Sequence, residues 1–169
     1  MTIPLPIRTA RLCIRPFDSG DVDPMANVYG DPEVMRHVCI GVLDRPGTAA
    51  LLEDYRRAQE QRGFSTWAVV EKASGAVIGD VGFGLYEPTG EPELGYTLAA
   101  SAWGRGYALE AARACVDAAF AHLPQRRLVA KIEPENERSL RLAQRLGMRT
   151  VETVDVDGVP HLLLALERR

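Results

Sequence analysis

Two periods of hydrophobic and polar positions run along this chain and predict both strands and helices. Alternation at every second residue predicts seven strands, at residues 11–17, 65–71, 76–85, 93–99, 127–133, 150–156 and 161–166. Helical spacing predicts four helices at about 21–29, 49–61, 107–120 and 137–146, with a shorter helical piece at 33–38. The order is therefore a strand, helices, three strands, a helix, a strand, a helix and two strands.

Capping and turn residues set the boundaries of these elements. Thr48 is expected to cap the helix that follows it, and Asn136 the helix that Gly147 ends. Asp157-Gly158 is expected to turn the last two strands into a hairpin. Because no internal repeat, linker or low-complexity segment divides the sequence, we predict a single domain over all 169 residues.

The composition is that of an ordinary soluble protein. Hydrophobic residues make up 46% and charged residues 25% of the sequence, and the formal net charge is -3. Since the basic residues are not clustered, we expect no nucleic-acid partner. No stretch approaches the roughly 18 apolar residues of a membrane span, and the first residues lack a signal-peptide pattern, so no membrane partner is expected.

The cysteines add information about the cellular compartment. Cys13, Cys39 and Cys115 are odd in number, widely spaced and set in apolar surroundings. This pattern indicates reduced thiols rather than disulfides or a zinc site, so we expect a cytoplasmic protein without a metal. Cys115 lies among small apolar residues of its predicted helix, which argues against an acyl-cysteine intermediate.

The sequence Trp-Gly-Arg-Gly-Tyr-Ala at residues 103–108 connects a predicted strand to an alanine-rich helix. Backbone N–H groups without helical partners meet the positive end of the helix dipole there, and Arg105 adds a formal charge. The turn is therefore suited to bind a phosphate or pyrophosphate, although glycines at such places also serve only to pack a helix against a sheet.

Two other phosphate-binding motifs can be compared with this turn. A P-loop is excluded, because no Gly-Lys-Ser/Thr precedes a helix anywhere in the chain. A dinucleotide fingerprint that starts at Gly104 requires a glycine or similar residue at position 109, which is Leu109 here. The strand before the turn also belongs to an apparent antiparallel meander, which disfavours a Rossmann unit.

Several segments are distinctive in their joint order and spacing, namely residues 9–16, 67–71, 77–82, 93–96, 103–111, 134–139 and 146–148. Together they resemble the GNAT acetyltransferases, and within them the branch typified by the ribosomal-protein N-acetyltransferases RimJ and RimL. The resemblance implies an α/β (α+β) fold with a mixed, largely antiparallel sheet of about seven strands, splayed in the middle and flanked by about four helices. It also implies an acyltransferase that uses acetyl-CoA (coenzyme A).

The acyl-CoA signature of that family, Gln/Arg-x-x-Gly-x-Gly/Ala, falls here on Trp103, Gly106 and Ala108. Trp103 departs from the first position, so the resemblance implies that backbone amides, together with Arg105, contact the pyrophosphate. The expected cofactor-binding residues are Leu98, Ala99, Trp103, Gly104, Arg105, Gly106, Tyr107, Ala108 and Asn136.

The resemblance also implies where the donor lies. Acetyl-CoA is expected in a gap between the strand that ends near Ala99 and the strand that ends near Glu133. Its pantetheine arm would add to the edge at residues 96–99 through main-chain hydrogen bonds. The backbone N–H of Leu98 is then the expected donor to the carbonyl oxygen on which charge develops.

Acetyl transfer to an amine needs a base for the amine proton and an acid for the departing thiolate. Glu93 is the first candidate base because it opens its strand on the acceptor side, with Glu91 and Glu133 in reserve. The resemblance implies that Asn136 lines the CoA groove and that Ser139, the candidate acid, lies near the thioester sulfur. The structural alternatives are that Glu93 is a solvated turn residue and that Asn136 only caps its helix.

The remaining conspicuous side chains are expected to be structural. Trp67 and Tyr96 are expected to pack the sheet or line the acceptor pocket. His37 lies where the early helices are expected to wall the acceptor site, but a lone histidine is more often structural or solvated. The apolar closing strand at 162–166 is a candidate for pairing between subunits in a homodimer.

The predicted function is an N-acetyltransferase that moves an acetyl group directly to a primary amine. The acceptor is either a protein N-terminal α-amine or a small-molecule amine, and no cluster of residues in the sequence names it. Two other functions stay open: a catalytically silent acyl-CoA-binding or regulatory protein, and a dinucleotide-binding module.

Overall fold

The computed structural model describes residues 1–168, and its strands form one eight-stranded sheet. In chain order the strands are β1 (Ile7–Arg8), β2 (Leu12–Arg15), β3 (Thr66–Glu71), β4 (Val77–Tyr86), β5 (Glu91–Leu98), β6 (Arg127–Ile132), β7 (Arg149–Val156) and β8 (Val159–Glu167). Across the sheet they lie in the order β1-β2-β3-β4-β5-β6-β8-β7. The sequence pattern does not reveal β1, because two residues are too few to show a period.

The described residues form four α-helices, as predicted. They are α1 (Val22–Tyr29), α2 (Arg45–Arg62), α3 (Tyr107–His122) and α4 (Glu137–Leu146), with 3₁₀ turns at Ser19–Asp21, Val34–His37 and Ala100–Ala102. The predicted cap of α2 is wrong: Asp44, not Thr48, caps it, because the Asp44 side chain accepts a hydrogen bond from the N–H of Gly47 at 2.8 Å. Thr48 lies inside the first turn, where its hydroxyl donates to the Asp44 carbonyl at 2.8 Å.

Two hydrophobic clusters cover the two faces of the sheet. The larger one packs α3 and α4 against one face, and it includes Trp67 and Val69 of β3. Ala68, the residue between them, points to the opposite face and joins the cluster that α1 and α2 form. Alternate residues of the strand therefore bury against different helices, which explains why residues 67–70 of β3 are apolar without a break.

The sheet is splayed between β5 and β6. These two strands are parallel and share one registered pair, Glu93 with Val129, whereas the other neighbouring strands are antiparallel. Beyond that pair the strands run apart toward Leu98 and Ile132, which leaves an opening in the middle of the sheet. The predicted mixed, largely antiparallel and splayed sheet is thus confirmed.

The closing hairpin differs from the expectation for its last strand. β8 pairs with β6 on one side and with β7 on the other, so both of its edges are occupied. The predicted strand at 162–166 is therefore not available for pairing between subunits, and β1 and β7 are the outer strands of the sheet. No helix within residues 1–168 combines the length and the apolar character that a membrane crossing requires.

Candidate active site

A groove of about 710 Å³ lies at the opening between β5 and β6. Four segments form its walls: the 3₁₀ turn Val34–His37, the end of β5, the glycine turn before α3, and one face of α4. Of the predicted cofactor-binding residues, seven line it: Leu98, Trp103, Gly104, Gly106, Tyr107, Ala108 and Asn136. Ala99 and Arg105 do not.

The glycine turn presents backbone N–H groups to this groove. Gly104 and Gly106 have φ angles of 72° and 78°, which an L side chain adopts only with strain. Gly106 precedes α3 without a side-chain cap, and the first helical bond runs from Glu110 N–H to the Gly106 carbonyl at 3.1 Å. The N–H groups of Tyr107 and its two successors therefore remain available at the positive end of the helix dipole.

Arg105, whose charge is expected to contact the pyrophosphate, is not among the residues that line the groove. Its Nη2 atom is 3.1 Å from Oε1 of Glu71, and its guanidinium lies 4.7 Å from the ring centroid of Tyr107. Arg11 stacks on the same ring at 4.4 Å and donates to the Arg105 carbonyl at 2.8 Å. Since Glu71 pairs with its charge, Arg105 is placed to hold the turn in shape rather than to face an anion.

Arginine side chains of α4 supply positive charge to the groove, and the sequence analysis did not identify these residues. Arg138, Arg141 and Arg145 line the groove. The Arg138 guanidinium lies 4.0 Å from the ring centroid of Trp103, and Arg141 pairs with Glu137 at 3.0 Å. The spacing of these arginines in the sequence could have revealed them, because residues three and four positions apart lie on one face of a helix.

The end of β5 directs one N–H group into the opening. Ala99 donates its N–H to the carbonyl of Ile78 in the direction of β4, at 2.9 Å. Because successive peptide groups of a strand point to opposite edges, the N–H of Leu98 points toward the opening. The Leu98 carbonyl accepts from Nε1 of Trp103 at 2.9 Å, so Trp103 fixes this strand end to the glycine turn.

Asn136 and Ser139 lie together at the start of α4. The Asn136 side chain accepts a hydrogen bond from the Ser139 N–H at 3.2 Å, so it does cap the helix, and both residues also line the groove. The Tyr96 hydroxyl crosses from β5 and donates to the Ser139 carbonyl at 3.2 Å. Burial raises the pKa of Tyr96 to about 12, so this phenol stays protonated at neutral pH.

Glu93 lies near the opening but does not line the groove. Its Oε2 atom is 3.5 Å from Nζ of Lys131, and burial raises the pKa of its carboxyl group while Lys131 opposes that shift. Glu91 is paired with Arg127 at 3.5 Å. Glu133, the other reserve candidate, accepts a hydrogen bond from His37, which lines the groove.

Two further residues have the structural positions that the sequence analysis favoured. Trp67 is buried, packs edge-on against Phe83 at 6.2 Å between ring centroids, and donates its Nε1 proton to Gln59 at 2.9 Å. Cys115 is fully buried in α3, and burial raises the pKa of its thiol. A thiol in that position is a poor nucleophile.

Comparison with known sequences and structures gives the following matches. A family described as an acetyltransferase (GNAT) domain matches residues 11–149. The uncharacterized protein YkkB of Bacillus subtilis (strain 168) is 31% identical over 149 residues, which are 86% of each chain. The uncharacterized N-acetyltransferase p20 of Bacillus licheniformis is 31% identical over 146 residues, covering 83% of this chain and 80% of p20.

The fold also matches solved structures. The acetyltransferase from Agrobacterium tumefaciens str. C58 has a TM-score of 0.85 and 28% sequence identity, covering 99% of this chain and 96% of that one. The matched family range contains the glycine turn, both diverging strands and the whole of α4.

Proposed function

Because this chain belongs to the GNAT family of acetyltransferases, we propose that it moves an acetyl group from acetyl-CoA to a primary amine by direct transfer. The observation that carries the proposal is the groove between β5 and β6, where the glycine turn and the end of β5 meet. We place the chain in the RimJ/RimL-like branch because Trp103 occupies the first signature position and Asn136-x-x-Ser139 opens α4.

The donor is proposed to lie along the wall that β5, the glycine turn and α4 form. The N–H groups that follow Gly106 bind the pyrophosphate at the start of α3. Arg138 and Arg145, rather than Arg105, supply the positive charge, since they line the groove. Acetyl-CoA brings the activated acetyl group, and the chain has to hold it, polarise its carbonyl and exclude water.

The groups proposed for the chemistry lie at the end of this wall. The Leu98 N–H stabilises the oxygen that becomes negatively charged during transfer. Ser139 supplies a proton to the departing thiolate. Glu93 stays a candidate base, although its carboxylate is held by Lys131 outside the groove. Because Cys115 is buried, transfer without an acyl-enzyme intermediate is favoured.

The acceptor is proposed to enter from the side of the 3₁₀ turn Val34–His37. Either a protein N-terminal α-amine or a small-molecule amine is consistent with the open end of the groove. We further propose a cytoplasmic location, in keeping with Cys13, Cys39 and Cys115, which are all free. A homodimer stays a proposal, and it cannot form by strand pairing at β8, because both edges of β8 are occupied.

Two measurements test this function. Calorimetry with CoA and, separately, with NAD should show binding of CoA alone, whereas binding of NAD alone would indicate a dinucleotide-binding module. Thiol release from acetyl-CoA should then rise on addition of one or more amines from a panel of peptides, polyamines, amino acids and aminosugars. CoA binding without turnover on any of these amines would indicate a catalytically silent binding protein.

A further inference from the structure

A cluster of ionisable side chains lies beside the 3₁₀ turn Val34–His37, and His37 is the member of this cluster that lines the groove. The Nδ1 atom of His37 is 2.7 Å from Oε2 of Glu133, which follows the end of β6. His161 of β8 approaches the other oxygen of that carboxylate, with its Nε2 atom 3.9 Å from Oε1. The Sγ atom of Cys39 lies 3.7 Å from the same Nε2. Glu133 is thus held between two imidazoles that are far apart in the chain.

The hydrogen-bond partners determine which ring nitrogen carries the proton. A carboxylate only accepts hydrogen bonds, so Nδ1 of His37 donates to Glu133 and Nε2 of the neutral ring is left as an acceptor. A backbone carbonyl also only accepts, so Nδ1 of His161 donates to Val159 at 3.0 Å. His161 is 2% exposed and its Nε2 is directed at Glu133 and Cys39. His37 is therefore the histidine that offers a basic nitrogen to the groove.

The position of His37 matches the requirement for a base. It lines the same groove as Leu98 and Ser139, and its 3₁₀ turn packs beside β5. Its side chain is 22% exposed, so a small amine can reach the ring without displacing the fold. An imidazole whose Nδ1 is held by a carboxylate keeps one orientation and one tautomer, which is the arrangement that general bases require.

We propose that His37 is the general base of the transfer and that Glu133 is the positioning residue that holds its ring. This inference rests on the proposed N-acetyltransferase function. Nε2 of His37 takes one proton from the acceptor ammonium group, and the freed nitrogen lone pair attacks the thioester carbonyl carbon. A C–N bond forms and the C–S bond breaks. The second amine proton neutralises the departing thiolate, through Ser139, and His37 releases the first proton to water.

Other charged groups lie near His37, and one of them, Glu93, is an alternative candidate for the base. Glu33 and Arg36 line the groove from the same segment, Glu133 contacts the His37 ring, and His161 contacts Glu133 from β8. The Glu93–Lys131 pair joins β5 to β6. Glu93 is the rival base, yet its side chain does not line the groove. Within residues 1–168 no group of three or more His, Cys, Asp or Glu side chains is arranged to hold a metal ion.

The first test replaces the basic nitrogen and keeps the contact with Glu133. In His37→Asn the amide N–H₂ can still donate to Glu133, but no basic nitrogen remains. With an amine that the wild-type protein acetylates, kcat should fall by about 100-fold, and the acidic limb of the kcat/KM profile should disappear. CoA affinity should stay within about twofold, which shows that the variant is folded. His122→Gln, at the exposed end of α3, is the matched control and should keep full activity.

The second test restores the base from solution. Imidazole added to His37→Ala should raise the turnover with increasing imidazole concentration, because a free imidazole can occupy the space of the lost ring. Glu133→Gln should lower kcat by about 10-fold or more with little change in the KM for acetyl-CoA, and imidazole should not restore it.

The outcomes distinguish a failure of the proposed N-acetyltransferase function from a failure of the role proposed for His37. An inactive wild-type protein that still binds CoA overturns the proposed function, and with it the role of His37. If the wild-type protein is active and His37→Asn keeps its kcat and its pH profile, this inference alone is overturned. The same holds if imidazole does not restore turnover to His37→Ala. Loss of the acidic limb in Glu93→Gln, with that limb intact in His37→Asn, assigns the base to Glu93 instead.

Discussion

The donor wall and the acceptor wall of the groove present different chemical groups, backbone N–H groups on one and side chains on the other. On the donor wall the turn at 103–108 and the adjacent end of β5 offer mainly backbone N–H groups from one short stretch of chain. On the acceptor wall His37 lines the groove with its side chain, and its ring is held by Glu133, which His161 also approaches, so three separate segments contribute. A backbone site leaves a local pattern of glycines in the sequence, whereas a side-chain site exists only after the chain has folded.

The largest expected effect follows from a substitution in the donor wall. Gly106→Glu introduces bulk and negative charge beside the proposed pyrophosphate site, at a φ of 78°. CoA affinity should fall about 1,000-fold, or about 4 kcal/mol, as measured by calorimetry. Gly75→Glu is the matched control: Gly75 has a similar φ of 71° and open space around its Cβ position, but it lies in the β3–β4 hairpin. Equal CoA affinity in the two variants would show that the turn is only structural.

Substitution of the proposed acid should affect turnover rather than binding. Ser139→Ala should lower kcat by roughly 10-fold to 100-fold, at or below the low end of general acid catalysis because a thiolate leaves readily. CoA affinity should change little, because Asn136 accepts from the Ser139 backbone and not from its hydroxyl. Steady-state kinetics with a saturating amine measures this effect, and an unchanged kcat would remove Ser139 from the chemistry.

A smaller effect is expected from the arginines of α4. Arg138→Ala removes a charge that faces the groove, so CoA affinity should fall about 5-fold to 10-fold and depend less on salt concentration. Arg57→Ala, an exposed position on α2, is the control and should leave affinity within about twofold. If Arg105→Ala weakened CoA binding more than Arg138→Ala, the assignment of the phosphate charge to α4 would be wrong.

The last prediction concerns stability rather than binding or turnover, and it lies on the face of the sheet that packs against α1 and α2. Asp80 of β4 is buried and accepts from the Tyr29 hydroxyl at 2.6 Å, and burial raises the pKa of its carboxyl group from 3.8 to about 7. Because folding favours the protonated form, this group stabilises the fold fully below its ordinary pKa, and the contribution is lost as pH rises through about 7. The loss approaches about 1.4 kcal/mol per pH unit between the two values.

Asp80→Asn tests that expectation with a side chain of the same shape that does not titrate. Denaturant unfolding of both proteins at several pH values between about 4 and 8 gives the free energies. The wild-type protein should lose stability with rising pH faster than the variant does. Parallel pH profiles would show that the buried carboxyl group does not carry the dependence.

The sequence predicts the fold better than the site. Strands and helices follow from their periods, and the turn that starts α3 follows from its two glycines. The start of α2 was misplaced because Asp44 and Thr48 are both suitable caps, and only the position of Pro46 in the first turn favours the earlier one. The role of Arg105 could not be predicted, because its partner Glu71 is distant in the chain.

The acceptor wall shows the limit of prediction most clearly. A lone histidine in the segment after α1 is usually structural, and nothing near His37 in the sequence indicates a carboxylate partner. Glu133 becomes that partner only because β6 diverges from β5 and ends beside the 3₁₀ turn. The cations of α4 are different, since their helical spacing was visible in the sequence.

Amide hydrogen exchange of the whole chain, with and without CoA, tests most directly the claim that the donor is held by backbone N–H groups. Binding of CoA should slow exchange most strongly in residues 98–109, which contain the Leu98 N–H and the start of α3, and should leave the acceptor segment at 34–37 nearly unchanged. Protection centred on the acceptor segment, or CoA binding without any protection in residues 98–109, would contradict the claim.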